Sequence, residues 1–336
     1  MTNRRIVLAS RPVGEPTHEN FRMETEDVPA LGDGQVLLKT LYLSLDPYMR
    51  GRMTDGPSYA APVGIGQTMV GGTVCEVVES TDPSFQPGDV VSAFNGWQEF
   101  AVVPAKGLRK VLSDGKLPVS TALGVLGMPG MTAWSGLLLL GQPKQGETVV
   151  VAAAAGAVGS AVGQIAKIKG CRVVGIAGGP EKCTHVVNDL GFDACLDHRS
   201  PTLAKELGAA CPKGIDVYFE NVGGKVFEAV LPRMNDFGRI PVCGLISQYN
   251  ATELPSGPDR SQKLLLAVLT KRLRMSGFIV TDFIAHWGDF EREMSGWVRQ
   301  GRIHYREQVV DGLDNAIDGF IGLLKGANTG KMLVKM

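Results

Sequence analysis

The sequence predicts an α/β fold in which a doubly wound parallel sheet is joined to a second, β-rich lobe. Two observations carry this expectation. From Thr148 onward, short β-branched runs alternate with helix-like stretches, the pattern that places crossover helices on both faces of a parallel sheet. Before residue 125, short strand-like runs are instead separated by turn signals such as Leu31-Gly-Asp-Gly and Gln86-Pro-Gly-Asp. A chain of 336 residues is long enough to give each lobe its own core.

Taken in order, the first lobe is expected to hold strands at 5–9, 35–43, 72–79, 90–94 and 98–104. Leu45-Asp-Pro-Tyr-Met-Arg-Gly-Arg follows the second of these as a loop, and 57–66 is a Pro/Gly-rich loop. Gly124-Val-Leu-Gly-Met-Pro-Gly-Met-Thr-Ala-Trp leads into a leucine-rich helix. The second lobe then alternates: strand 148–151, helix 160–169, strand 172–176, helix 181–190, strand 194–197, helix 202–210. Strands at 215–220, 238–244 and 274–280 follow. The tail reads as an amphipathic helix at 313–324, then a turn and a strand. No repeat and no low-complexity segment interrupts the chain.

The stretch from Thr148 to Lys182 carries the first chemistry. Its strand, tight turn, helix and second strand hold Gly156 and Gly159 where a backbone turns sharply and approaches a pyrophosphate. Ala154 replaces the first glycine of the usual G-x-G-x-x-G pattern. Residues 160–169 continue as a helix whose free N–H groups and dipole would face that phosphate. The tip of the second strand selects the dinucleotide. An acid there would accept from both ribose hydroxyls, but this chain has Gly178 and Gly179, then Lys182. Small residues leave room for a 2′-phosphate and a cation can pair with it, so the expected cofactor is NADPH.

Composition excludes other classes. With 34 basic and 34 acidic residues, nothing points to nucleic acid or another polyanion. No apolar run approaches the ~18 residues of a membrane span, and the N-terminus lacks a signal-peptide core. The six cysteines include no C-x-x-C and read as small buried side chains in a reducing, cytoplasmic setting. His286 and His304 have no partner at ligand spacing, Lys271-Arg-Leu-Arg reads as a solvated edge, and Ser247 lacks a nucleophile elbow. Ligands of an open α/β sheet sit beyond the carboxyl ends of its strands, which is where Asn221, Cys243, Ser247, Tyr249, Phe278 and Val280 fall.

Several motifs together resemble the zinc-independent branch of the medium-chain dehydrogenases/reductases, with its alkenal, leukotriene and prostaglandin reductases. They are Leu43-Ser-Leu-Asp-Pro-Tyr-Met-Arg, Gly127-Met-Pro-Gly-Met-Thr-Ala, Ala153-Ala-Ala-Gly-Ala-Val-Gly, Glu220-Asn-Val-Gly-Gly, Cys243-Gly-Leu-Ile-Ser-Gln-Tyr-Asn and Leu324-Lys-Gly-Ala-Asn-Thr-Gly-Lys. Gly178-Gly-Pro-Glu-Lys-Cys, Cys195-Leu-Asp-His and Tyr249-Asn-Ala-Thr-Glu-Leu-Pro narrow the likeness to bacterial, curcumin-reducing members. The resemblance implies a GroES-like catalytic domain from 1–125 and 304–336 around a Rossmann domain at 126–303, and a homodimer. It also implies cofactor contacts. Met128 and Thr132 would lie near the nicotinamide, Gly156, Ala157 and Val158 against the pyrophosphate, and Lys182 would hold the 2′-phosphate. Asn221, Tyr249 and Asn328 would bond the ribose and nicotinamide parts, with Ser247 in the same loop. His198 aligns with a tyrosine that lies beside the adenosine phosphate in mammalian prostaglandin reductases, and Arg199 adds charge there. Leu254 aligns with a substrate-side tyrosine of those enzymes, which argues against prostaglandin specificity.

Zinc alcohol dehydrogenases of this superfamily carry a cysteine just after the second strand and a four-cysteine lobe. Here the first run is Leu43-Ser-Leu-Asp-Pro, and residues 80–115 hold no cysteine, so no zinc ligands are expected. Hydride delivery then needs an acceptor that is already polarised, such as a carbon–carbon double bond conjugated to a carbonyl. Hydride would reach the β-carbon of an enone or enal, curcumin-like diarylheptanoids included, and a proton the α-carbon. Candidate proton donors are Tyr48, Tyr59 and Tyr249, each expected on a loop, although a loop tyrosine also packs well as an amphipathic ring. Two alternatives stand beside this reading: a quinone oxidoreductase, and a non-catalytic NADPH-binding sensor.

Overall fold

The computed structural model describes residues 1–111, 115–253 and 259–336. Leu254 and Pro255 lie outside the described residues. The chain opens with β1 (Thr2–Leu8), β2 (Phe21–Asp27), β3 (Gln35–Leu45), the one-turn helix α1 (Tyr48–Gly51), β4 (Thr73–Ser80), β5 (Val90–Ala93), β6 (Phe100–Pro104) and β7 (Arg109–Lys110). It continues through α2 (Met128–Ser135), β8 (Thr148–Ala152), α3 (Ala157–Ile168), β9 (Arg172–Ala177), α4 (Pro180–Asn188), β10 (Ala194–Asp197) and α5 (Leu203–Ala210). Then come β11 (Ile215–Phe219), α6 (Gly224–Val230), β12 (Met234–Val242), α7 (Ser261–Lys271), β13 (Arg274–Gly277) and α8 (Trp287–Arg299). It closes with β14 (Glu307–Asp311), α9 (Ala316–Leu324) and β15 (Lys331–Lys335). These elements form two units, Met1–Gly124 with Glu307–Met336, and Val125–Arg306.

The first unit is β-rich. Its larger sheet runs β14-β15-β3-β4-β5-β7, with β6 also pairing β3, while β1 and β2 form a separate antiparallel pair. The C-terminal strand closes this unit: β15 pairs antiparallel with β3 from Met332 opposite Leu45 to Lys335 opposite Tyr42. The amphipathic face of α9 drops Ala316, Phe320 and Leu323 into a core with Leu43, Leu45, Met49 and Trp97. There Phe21 stacks on Trp97 at 5.7 Å and Phe320 meets Trp97 edge-on at 5.6 Å.

The second unit is the expected parallel sheet, ordered β10-β9-β8-β11-β12-β13. The first strand in sequence, β8, is central, the next two extend one way and the last three the other. The order therefore reverses between β8 and β11, the switch point of a doubly wound sheet. β8 is fully buried, as its uninterrupted Val149-Val-Val requires.

Some elements differ from the sequence expectation. Residues 21–27 and 307–311 form strands that polar content disguised: Arg22, Glu24 and Glu26 alternate out of β2, and β14 is an exposed edge. The helix expected at 160–169 starts at Ala157, because Gly156 adopts extended backbone (φ −85°, ψ 171°) and Ser160 N–H already bonds Gly156 C=O. The strand expected to reach Val280 stops at Gly277. The Asp282 carboxylate accepts from Ile279 N–H at 3.1 Å and turns the chain into a 3₁₀ segment, Val280–His286. In Lys271-Arg-Leu-Arg, Arg272 and Arg274 are exposed at the sheet edge as expected, while the half-buried Lys271 ammonium donates to the Pro232 and Met234 carbonyls, both at 2.7 Å. Tyr48 is not on a loop but opens α1.

Candidate active site

Two segments meet the switch point at the carboxyl ends of β8 and β11. After β8 the chain turns through Ala153, whose φ of 51° is left-handed although it is no glycine. Gly159 has a different role from the one its motif suggested. A Cβ there would run into the Ala153 carbonyl, so this glycine seats α3 on the turn and leaves the approach to a phosphate to others. Ala154 and Ala155 are buried around it, whereas Gly156, Ala157 and Val158 are half-exposed at the mouth of α3. Their position at a helix N-terminus suits an anionic diphosphate.

After β11 the loop is fastened to its surroundings. Asn221 Nδ2 donates to Ala152 C=O at 2.8 Å, tying the loop to the end of β8. Buried Glu220 accepts from Val222 N–H at 2.6 Å and Gly223 N–H at 2.9 Å through Oε1, while its Oε2 and the Tyr218 hydroxyl are buried without a hydrogen-bond partner. Burial raises the Glu220 pKa, while those N–H donors hold it back. Ser247 Oγ donates to Val222 C=O at 2.6 Å, so the Val222 residue is held from both sides. Ser247 is thus engaged with the loop itself. Cys243 N–H bonds Glu220 C=O at 2.9 Å, and burial, with Glu220 adding to it, pushes the Cys243 thiol up to about 12. The Tyr249 hydroxyl lies over Gly244, where a Cβ would come within 2.9 Å of it. Glu220 was not singled out in the sequence. A strand-end carboxylate carries no signal of its own, and only the neighbouring glycines of Glu220-Asn-Val-Gly-Gly hinted that this backbone needed a fixed acceptor.

The tips of β9 and β10 gather positive charge. Parallel pairing sets Asp197 opposite Ala177, which brings His198 and Arg199 over Gly178 and Gly179. A Cβ on Gly178 would sit 3.0 Å from His198 Nε2, and one on Gly179, whose φ is 93°, would sit 3.3 Å from an Arg199 guanidinium nitrogen. Lys182, in the first turn of α4, completes the group. Partial withdrawal from water, with Arg199 adding repulsion, lowers its pKa. His198 is lowered mainly by the same desolvation, against the raising effect of Asp197, and Arg199 and Lys182 lower it further. Asp197 itself is occupied, accepting from Arg199 N–H at 3.0 Å and from Gly179 N–H. Lys182 and Arg199, with the His198 ring beside them as a hydrogen-bond donor, fit a phosphate monoester over the two glycines.

A third wall lies on α2 and beyond β13. Buried Thr132 donates to Met128 C=O at 2.8 Å, with Met128 Sδ at 3.6 Å. Buried Phe278 packs edge-on against Phe219 at 6.2 Å, and Val280 begins the segment that follows. Gly136 lets this wall close, since a Cβ there would press into the Phe278 ring at 2.5 Å.

Tyr48, Tyr59 and Asn328 belong to the first unit. Burial, reinforced by Asp46 and Tyr59, holds the Tyr48 hydroxyl far above its ordinary pKa, so it keeps its proton as a donor. Tyr59 is 61% exposed. Asn328 is buried and donates to Gly330 C=O at 2.8 Å. Beneath Tyr48, buried Lys331 donates to Leu45 C=O at 2.6 Å and pairs with Asp46 at 3.1 Å. Ser44 also donates to Asp46 inside the unit. Among the described residues, no group of three or more His, Cys, Asp or Glu is placed to hold a metal ion.

Comparison with known proteins covers the whole chain. Residues 4–111 match a family described as N-terminal domain of oxidoreductase, and residues 157–298 match zinc-binding dehydrogenase. The chain is 60% identical to the NADPH-dependent curcumin reductase of Escherichia coli (strain K12), over 99% of this chain and 97% of that protein. It is 44% identical to prostaglandin reductase 1 of Rattus norvegicus, over 96% and 95%. The crystal structure of CurA in complex with NADPH from Vibrio vulnificus superposes with a TM-score of 0.96 at 56% identity, covering 99% of each chain.

Proposed function

The chain belongs to the medium-chain dehydrogenase/reductase family, in the branch of the curcumin and prostaglandin reductases, and on that premise we propose that it is an NADPH-dependent reductase of carbon–carbon double bonds conjugated to a carbonyl. Enones and enals, curcumin and dihydrocurcumin among them, are the substrate class. The observation that carries the cofactor is the cationic group of Lys182, His198 and Arg199 around Gly178 and Gly179. An acid able to bond a free 2′-hydroxyl is absent from the tip of β9, and the charge present suits a 2′-phosphate.

When bound, NADPH supplies the hydride. The residues of this chain orient and protect that transfer. Lys182, His198 and Arg199 hold the 2′-phosphate, and the first N–H groups of α3 at Ala157 and Val158, with Gly156, hold the diphosphate. Asn221, Cys243, Ser247 and Tyr249 form the ribose end, fixed from behind by Glu220. Met128, Thr132, Phe278 and Val280 of the second unit would line the nicotinamide, and the family resemblance adds Asn328 as a further cofactor contact. Preorganisation matters here because a hydride moves only between closely aligned carbons. Net addition puts hydride on the β-carbon and a proton on the α-carbon. Tyr59, Tyr48 and Tyr249 are the hydroxyls assigned to stabilise the enolate oxygen or deliver that proton.

A homodimer in the cytoplasm completes the reading. β13 is a short edge strand of the second unit's sheet, and Leu265, Leu266 and Leu269 of α7 are exposed, Leu269 at 74%. An unpaired strand edge and exposed leucines of this kind are the features a second copy would cover by symmetry. All six cysteines are free thiols, which suits a reducing compartment.

The test is NADPH oxidation with curcumin, a simple alkenal and a quinone side by side, with product mass read in parallel. Gain of two hydrogens across the enone supports the reductase. Consumption with the quinone alone replaces it by a quinone oxidoreductase, and tight NADPH binding without turnover replaces it by a sensor.

A further inference from the structure

The turn that carries Tyr48 is anchored by a buried ion pair. Lys331 is 3% exposed, and its ammonium has three N–H donors to place. They go to Leu45 C=O at 2.6 Å, Met332 C=O at 2.9 Å and the buried Asp46 carboxylate at 3.1 Å. Leu45 and Met332 face each other across the β3–β15 ladder, so the ammonium sits where the chain leaves the sheet. Ser44 Oγ donates to the second Asp46 oxygen. Glu307, opposite Lys331 across the β14–β15 ladder, is instead engaged by Ser120 at 2.7 Å. Pro47, with φ at −59°, joins Asp46 to Tyr48, and Asp46 C=O accepts from Met49 N–H at 3.1 Å to close the first turn of α1. At its far end, Arg50 Nη2 donates to Gly14 C=O at 2.8 Å. The turn is thus held on both sides, and on one of them by charge.

We propose that Lys331 and Asp46 are positioning residues for Tyr48, fixing its turn so that the hydroxyl meets the substrate's carbonyl oxygen as enolate charge develops. Both side chains are buried and spend their bonds inside the unit, so they act through Tyr48 and not on the substrate. Stability alone does not call for them. Apolar side chains of similar volume usually serve a fold as well as a buried ion pair, or better. What the pair adds is direction, a fixed point at Leu45 and Asp46 immediately before Tyr48. A donor helps a developing oxyanion only when it is already aimed at the place where that charge appears. Burial, with Asp46 nearby, keeps the Tyr48 hydroxyl protonated, as such a donor must be.

This inference rests on the enone-reductase reading, which is tested separately by product mass from the wild-type enzyme with NADPH and curcumin. Full-length variants are then compared by kcat, by KM for NADPH and by melting temperature. Tyr48→Phe should lower kcat about a hundredfold, the loss of one oxyanion donor. The double substitution Asp46→Asn with Lys331→Met removes both charges and leaves neither unpaired. It should melt near wild type and keep the NADPH KM, yet lose about tenfold or more in kcat. Combined with Tyr48→Phe, the same two substitutions should cost less than about twofold further, since the group they aim is gone. Should the double variant fail to fold, Asp46→Asn alone carries the same cycle, with a kcat loss of about threefold or more that vanishes beside Tyr48→Phe. Equal losses in the two backgrounds, or an unchanged kcat in Tyr48→Phe or in the charge-removed variant, overturn the proposal while enone reduction by wild type stands.

Discussion

The two ends of the cofactor site are built on opposite principles. At the tips of β9 and β10, Lys182, His198 and Arg199 crowd like charges around two glycines, and partial desolvation already lowers the pKa of Lys182 and His198. At the carboxyl ends of β11 and β12, Glu220, Asn221 and Ser247 spend their hydrogen bonds on the protein's own backbone. The first end suits an anion. The second is held by the protein's own hydrogen bonds. Discrimination between cofactors should therefore reside at the first end, and rigidity, felt equally by every cofactor, at the second.

The strongest challenge to that division is Gly178→Asp. A carboxylate there would neutralise His198 and Arg199 and repel a 2′-phosphate. Like-charge contact costs several kcal/mol, so NADPH should bind roughly a hundredfold or more weaker, with NADH unaffected or improved. Steady-state KM values for both cofactors check this, and equal losses for the two would dissolve the comparison. Lys182→Ala removes one charge-assisted contact, about 1.5–3 kcal/mol, and should raise the NADPH KM by ~10- to 150-fold with kcat nearly unchanged.

At the other end, Glu220→Ala strands two backbone N–H groups and should destabilise the protein by about 1–3 kcal/mol, measured by urea unfolding. NADPH and NADH should lose affinity to the same degree. Glu220→Gln keeps the accepting oxygen and should recover most of both losses. A Gln variant as impaired as Ala would show that charge, not acceptance, is what the loop requires.

The smallest effect expected is in pH dependence. The folded-state pKa of His198 is depressed, so the stability tied to its neutral ring is fully present above the ordinary imidazole value of ~6.5 and is lost as pH falls from there through the folded-state pKa. A bound phosphate reverses the preference by favouring imidazolium. NADPH affinity relative to NADH should therefore fall a few-fold as pH rises from ~6 to ~8. Comparison with His198→Ala removes the phosphate's own titration from the profile. An identical slope in the variant would exclude His198 from phosphate binding.

Much of this was legible in the chain before any tertiary structure. Alternating β-branched and helical runs implied the parallel sheet, because crossover helices bury both of its faces. Gly178, Gly179 and Lys182 could be read as a 2′-phosphate site because they are neighbours in sequence and their local chemistry suffices. Ala153 shows where such reading stops. The left-handed turn falls on an alanine, and Gly159, which looked like a phosphate contact, is needed for helix packing. Polar strands such as β2 and β14 were hidden because their exposed faces carry no apolar alternation.

The sequence by itself determined the sheet class and the preference for a phosphorylated dinucleotide, both of which follow from residue types at short spacing. Tertiary structure alone decided that β10 would pair with β9 in the register that places His198 and Arg199 over the glycines. It alone turned Glu220 from a strand-end acid into the acceptor that fixes the Val222 loop. The physical reason is common to these cases: each depends on a contact between chain segments that only folding makes neighbours, and such a contact leaves no periodicity or spacing in the sequence from which to read it.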